Sequence, residues 1–176
     1  MDEAGGRGAT GAFDRQLPEL FFEQAGDILR SEGFQSGKNY RQHGQVSCYE
    51  HSIDVALLSV RLARRLPFKF DMRSLVRGAL LHDYFLYDWH QADRSHRFHG
   101  FIHARRALEN AERDFTLSPL ERDIIVKHMF PLNPALPRYR ESYLVILADR
   151  ICSIREILSS VGIRMRRALG LENDSN

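Results

Sequence analysis

Apolar residues along this chain recur at intervals of three and four, and no segment alternates convincingly with a period of two. That is the spacing of helices that bury one face, so the pattern predicts an all-α fold, a bundle of about six or seven helices. A first helix is expected from about Pro18 to Arg30, with Phe21, Ala25, Ile28 and Leu29 on one side and Gly33 ending it. A second spans about Cys48 to Leu66, where Val55, Leu58, Ser59 and Leu62 form a stripe reaching back one turn to His51. Asp71 reads as the N-cap of a third, in which Val76, Ala79, Leu80 and Asp83 share a face with His82 beside it. After a polar stretch from Gln91 to Gly100, a fourth helix starts near His103 and packs through Ala104, Ala107, Leu108 and Ala111. The fifth opens on a capping box of Ser118 and Glu121 with Pro119 at the first helical position, and stacks Leu120, Ile124 and His128. Beyond a loop with Pro131, Pro134 and Pro137, a long sixth helix runs from about Arg140 to Ser159 with Leu144, Leu147, Ala148 and Ile151 inward. A short basic seventh follows Gly162.

Composition narrows the picture without redirecting it. A chain of 176 residues, 43% hydrophobic, is long enough for one substantial core, so residues 14–170 are expected to form one helical domain. Residues 1–13, rich in Gly and Ala, read as a disordered tail, and the polar residues 171–176 as a frayed end. Lys and Arg number 25 against 23 Asp and Glu, spread along the chain, which points to neither specific nucleic-acid binding nor a membrane surface. The longest apolar runs, such as Tyr143 to Ala148, fall far short of the ~20 residues of a membrane span, and no leader pattern opens the chain. Cys48 and Cys152 form no CxxC pair and read as small buried hydrophobes, which suits a reducing cytoplasm.

Chemistry enters through residues that interrupt the apolar stripes. Ionisable groups on a buried face are unfavourable unless something compensates them. His51, the His82-Asp83 pair and Asp149 come from three different helices, which a bundle can point at one central volume. Neutral imidazoles and carboxylates together suit a divalent ion: iron, manganese, zinc, nickel or cobalt. Asp149 could instead form a surface ion pair with Arg150, but it closes the apolar run LVILAD, which such a pair does not require.

Read as CYEHS, LLHDY and LADR, these residues resemble the HD-domain metal-dependent phosphohydrolases, whose pattern is a lone His, then an adjacent His-Asp, then a lone Asp on successive helices. The resemblance covers roughly residues 43–155 and implies a helical bundle with a metal site at its centre. Members that hold two ions add two histidines between the pair and the last Asp, and His103 in HARRALENA and His128 in VKHMF answer that description. The resemblance thus implies one ion on His51, His82, Asp83 and Asp149 and a second on His103 and His128, with Asp83 bridging. His99, one turn before His103, is a rival for that place.

Two such ions imply attack on phosphorus by metal-bound hydroxide, since a bound divalent ion lowers the pKa of water from 15.7 to roughly 7. The implied substrate is a phosphomonoester or phosphodiester, a nucleotide or another small phosphorylated metabolite. Lys127, Arg150 and Arg41, near the ligands in sequence, are candidates to hold its phosphate, with Arg94 and Arg97 behind them. Members acting on guanosine alarmones or deoxynucleotide monophosphates carry a Glu soon after the His-Asp pair. This chain reads HDYFLYDWH, leaving Asp88 or His90 as the general acid or base beside Asp83. The Gly-Tyr-Pro signature of the cyclic-di-GMP phosphodiesterases is absent. Tyr84, Tyr87 and Trp89 are expected in the core or the pocket wall. A di-iron oxygenase of the same fold and a non-catalytic metal- or nucleotide-binding module are the alternatives, and a homo-oligomer is compatible with either.

Overall fold

The computed structural model describes residues 19–43, 46–85 and 99–168, without the side chains of residues 43, 99–101 and 164–168. Helix α1 runs through residues 19–30. Then come α2 (Glu32–Ser36), a 3-10 turn (Gly37–Asn39), β1 (Arg41–His43), β2 (Val46–Ser47), α3 (Cys48–Arg65), α4 (Met72–Leu81), α5 (His99–Asp114), α6 (Pro119–Lys127) and α7 (Arg140–Ala168). The fold is all-α, as the spacing predicts. Among the described residues the one departure is a short antiparallel hairpin of β1 and β2, whose register breaks between Arg41 and His43. Strands of two and three residues are too short to leave a period-two signature.

Local chemistry explains where the helices start. Ser118 and Glu121 form the expected capping box on α6, each bonding the other's backbone N–H, with Pro119 in the first turn. Asp71 caps α4 through the Ser74 N–H at 3.1 Å. A second capping box, Ser47 with Glu50, starts α3 and fixes His51 in its first turn.

Helix α3 lies against both α4 and α7, α4 against α6, and α6 against α5 and α7. Val55, Ala56 and Val60 of α3, Leu75, Val76, Ala79 and Leu80 of α4, Ala107 and Ala111 of α5, and Ile124 and Ile125 of α6 are buried in one core with Leu144, Val145 and Ala148 of α7. Phe21, Ala25, Ile28 and Leu29 of α1 join them as predicted. At Gly78 of α4 a Cβ would lie 2.6 Å from Ile124 Cδ1 and 2.9 Å from its Cβ, so glycine lets α4 and α6 meet at this depth.

The fourth predicted helix starts at His99, one turn before the expected His103, and three further expectations are corrected. Gly33 does not end the first helix. The break comes at Ser31, whose hydroxyl accepts the Phe34 N–H and starts α2, while Gly33 makes room for the Tyr84 hydroxyl, 1.8 Å from where its Cβ would sit. Gly162 does not divide the last helices: α7 runs unbroken through it, and nothing lies within 4 Å of its missing Cβ. An exposed glycine weakens a helix by about 1 kcal/mol without stopping it. Leu147 is not inward but 48% exposed, because the buried side of α7 is Leu144, Val145, Ala148 and Cys152. Among the described residues no helix is long and apolar enough to cross a membrane.

Candidate metal centre

Five elements converge on one buried volume. His51 comes from the first turn of α3, His82 from the C-cap of α4 with Asp83 next to it, His103 from α5, His128 from the C-cap of α6 and Asp149 from α7. His51, His82, Asp83, His103 and His128 are all buried, and the Asp149 side chain is 14% exposed. The buried faces of the helices, which the stripes define, therefore carry the ionisable groups to the middle of the bundle.

Asp83 divides this cluster in two. Its Oδ2 lies 3.3 Å from His82 Nε2 and 3.9 Å from His51 Nε2, while its Oδ1 lies 3.4 Å from His128 Nε2 and 3.5 Å from His103 Nε2. Asp149 Oδ1 sits on the first side, 3.1 Å from His51 Nε2 and 3.8 Å from His82 Nε2. On the second side the two Nε2 atoms of His103 and His128 are 2.8 Å apart. Two groups with spacing compatible with an ion result, His51 with His82 and Asp83, and Asp83 with His103 and His128.

Backbone geometry aims the rings. His82 and His128 follow the same rule, donating Nδ1–H to the carbonyl three residues back, Ala79 at 2.7 Å and Ile125 at 2.8 Å, which leaves Nε2 facing inward. Asn110 of α5 donates to the carbonyls of Tyr84 and Phe85, both at 3.1 Å, and so holds the chain just past Asp83. Phe85, buried, meets the His103 ring edge to face at 6.0 Å and forms an apolar wall.

The donor set fits a divalent cation. His82 Nε2 and Asp83 Oδ1 are buried and have no hydrogen-bond partner, although both face the cluster. Ligands sharing an ion at about 2.0–2.2 Å lie within about 4.4 Å of one another, and the separations above, 2.8–3.9 Å, meet that bound. Oxygen and imidazole donors together favour a borderline ion.

Without an ion, protons take its place. Burial pulls the His51 imidazole down, but hydrogen bonds to Asp149 and Glu156 outweigh it and push it up to about 10. His128 is raised by Asp83 against the same burial. Burial would raise Asp83, yet His82 and His128 hold it well below the usual carboxylate range, and His51 and His82 lower Asp149. The sign for stability follows. His51 titrates near 6.5 unfolded and about 10 folded, so its contribution to the metal-free protein is complete below pH 6.5 and fades as pH climbs toward 10. Chelator-treated protein should therefore melt at progressively lower temperature from pH 7 to 10, whereas His51→Gln should flatten that slope. An equal slope in both proteins would remove His51 as its source.

Sequence reasoning missed two partners. Gln42 of β1 is buried and donates from Nε2 to Asp83 Oδ2 at 2.5 Å, with the Cys48 thiol donating to its Oε1 at 3.3 Å. Glu156 of α7 is also buried and accepts from His51 Nδ1 at 2.8 Å. Arg41 is exposed, Lys127 donates to the Leu136 carbonyl at 2.6 Å, and Arg150 donates to the Phe130 carbonyl. Arg94, Arg97, Tyr87, Asp88, Trp89 and His90 lie outside the described residues, as does the side chain of His99. Tyr84 is buried, with its hydroxyl donating to Asp114 at 2.9 Å.

The HD domain family matches residues 48–154, more than half the chain, and that span holds all six of the converging residues. The chain belongs to the HD domain family. Most members of this family are metal-dependent hydrolases, and the buried His and Asp groups of this HD domain are able to hold a metal. No curated protein and no solved structure matches the chain.

Proposed function

We propose that this HD domain protein hydrolyses a phosphomonoester or phosphodiester bond of a nucleotide or another small phosphorylated metabolite. One divalent ion would be held by His51, His82, Asp83 and Asp149, and a second by Asp83, His103 and His128. The observation that carries the reading is the position of Asp83, which offers one oxygen to each of two histidine pairs. When bound, the ions supply Lewis acidity that polarises a phosphoryl oxygen and acidifies water.

The remaining work falls to the chain. Asp83 fixes the separation of the two groups, held in turn by Gln42. Phe85 and the packed core behind it keep bulk water from the histidines, which strengthens every charge interaction at the centre. Asp149 is more exposed than Asp83, so substrate would approach from its side. Asp88 or His90, which follow the His-Asp pair in the sequence, would serve as the general acid or base.

Protein purified without added metal should contain a transition ion and hydrolyse at least one of 4-nitrophenyl phosphate, bis(4-nitrophenyl) phosphate or a panel of nucleotides. A chelator should abolish turnover and Mn²⁺ restore it. Metal-loaded protein inert toward every ester would overturn the assignment, and dioxygen uptake by an iron-loaded form in place of ester cleavage would transfer it to the oxygenase.

A further inference from the structure

The rings of His51, His82 and His128 all present Nε2 to the centre, but they are held in two chemically different ways. His82 and His128 lean on neutral carbonyls of their own helices. His51 leans on a carboxylate 105 positions away, with Glu156 Oε1 2.8 Å from its Nδ1. Glu156 is 6% exposed, and its second oxygen, Oε2, is buried with no hydrogen-bond partner.

A half-satisfied buried carboxylate is unfavourable for folding. An apolar residue would serve α7 better at this depth if packing were the only demand. Glu156 lies seven residues beyond Asp149, two turns along the same face. The imidazole of His51 is consequently gripped from both sides by one helix, with Asp149 at Nε2 and Glu156 at Nδ1. A carboxylate behind a ligating imidazole fixes its tautomer and raises its strength as a donor, effects a backbone carbonyl supplies more weakly.

We propose that Glu156 is the positioning residue of the first metal group, holding His51 with Nδ1–H toward α7 and Nε2 toward the ion, and strengthening that nitrogen as a ligand. The inference rests on the metal reading above. Glu156 touches neither ion nor substrate in this role and acts only through His51.

Zinc is the probe. Its affinity, measured by competition with a chromophoric chelator, is compared in wild type, Glu156→Gln and Glu156→Leu, and the His51 ring is followed by ¹⁵N NMR of the zinc-loaded proteins. Gln keeps an acceptor but loses the charge, so Glu156→Gln should bind zinc measurably more weakly, by about 3–10-fold, and retain a slowly exchanging His51 Nδ1–H. Leu removes both, so Glu156→Leu should bind about 10–100-fold more weakly, and that proton should exchange fast. The ring signals of His82 and His128, held by carbonyls, should stay in place in both variants. A purely structural role would lower the melting temperature while leaving the zinc affinity of the folded variants unchanged, and that result would overturn the inference. If Glu156→Leu does not fold, unchanged affinity in Glu156→Gln overturns it alone. Wild type that binds no zinc, manganese or iron defeats the metal reading itself, whereas wild type that binds and variants that bind equally defeat only the role of Glu156.

Discussion

Asp83→Ala is expected to yield a folded protein that retains under about a tenth of the wild-type metal and has lost at least about 10³-fold in turnover, or roughly 4 kcal/mol of barrier lowering. The reason is positional. Each histidine pair faces its own oxygen of this carboxylate, so Asp83 is common to both groups, whereas every other candidate ligand belongs to one. His103→Ala is the matched comparison: it dismantles only the group of Asp83, His103 and His128, and metal content should fall by about half. Elemental analysis of the two variants alongside wild type checks the ordering. Full metal occupancy in Asp83→Ala would show that the ion sits elsewhere. Equal losses in Asp83→Ala and His103→Ala would show one shared ion rather than two groups.

What could be seen of this cluster in advance depended on periodicity. His51, Asp83, His128 and Asp149 occupy positions on the helical stripes where an apolar side chain is expected, and His82 sits beside one, so each announces itself as an exception that needs a partner. Gln42 and Glu156 had no such background. Gln42 sits in a strand of three residues, where inward and outward positions cannot be told apart by alternation. Its neighbour Arg41, a phosphate candidate for its place just ahead of the ligands in the sequence, is exposed in the same strand. Glu156 sits on a stretch of α7 where Ile154, Ile157 and Leu158 are all exposed, so the apolar pattern there points away from the buried side. Its role exists only because α7 packs on α3, a tertiary fact with no local signature.

The same distinction explains the helix ends. Capping boxes at Ser118 and the cap at Asp71 are local hydrogen-bond devices and could be read directly. The continuity of α7 through Gly162 could not, since glycine is compatible with both a break and an exposed helical turn. Tertiary packing of the first half of α7 then decides the matter for the second by propagating a helix already nucleated.

A second large effect is expected from the ion pair that ties the site-bearing helices together. Arg77 of α4 is 3% exposed; its Nε donates to Glu121 Oε1 at 2.9 Å and its guanidinium to both oxygens of Asp27, at 2.6 and 2.8 Å. Glu121 is equally buried, and its other oxygen accepts the Ser118 N–H that starts α6. One side chain thereby joins α1 to the helices that end in His82 and His128. Asp27 is 55% exposed at its side chain, so its share is screened by solvent and small. The share of Glu121 is not screened: Arg77→Ala strands a buried carboxylate, a change that destabilises by about 3–5 kcal/mol. For a chain of this length that is a fall in melting temperature of about 6–20 °C. Arg77→Lys should recover little, because an ammonium cannot span both carboxylates as the guanidinium fork does. Arg77→Met with Glu121→Gln should recover much of the loss by removing the stranded charge along with its partner. Thermal melts of the four proteins in chelator, where no ion contributes, test the series, and an Arg77→Ala melting temperature within 2 °C of wild type would show that this pair does not hold α4 to α6.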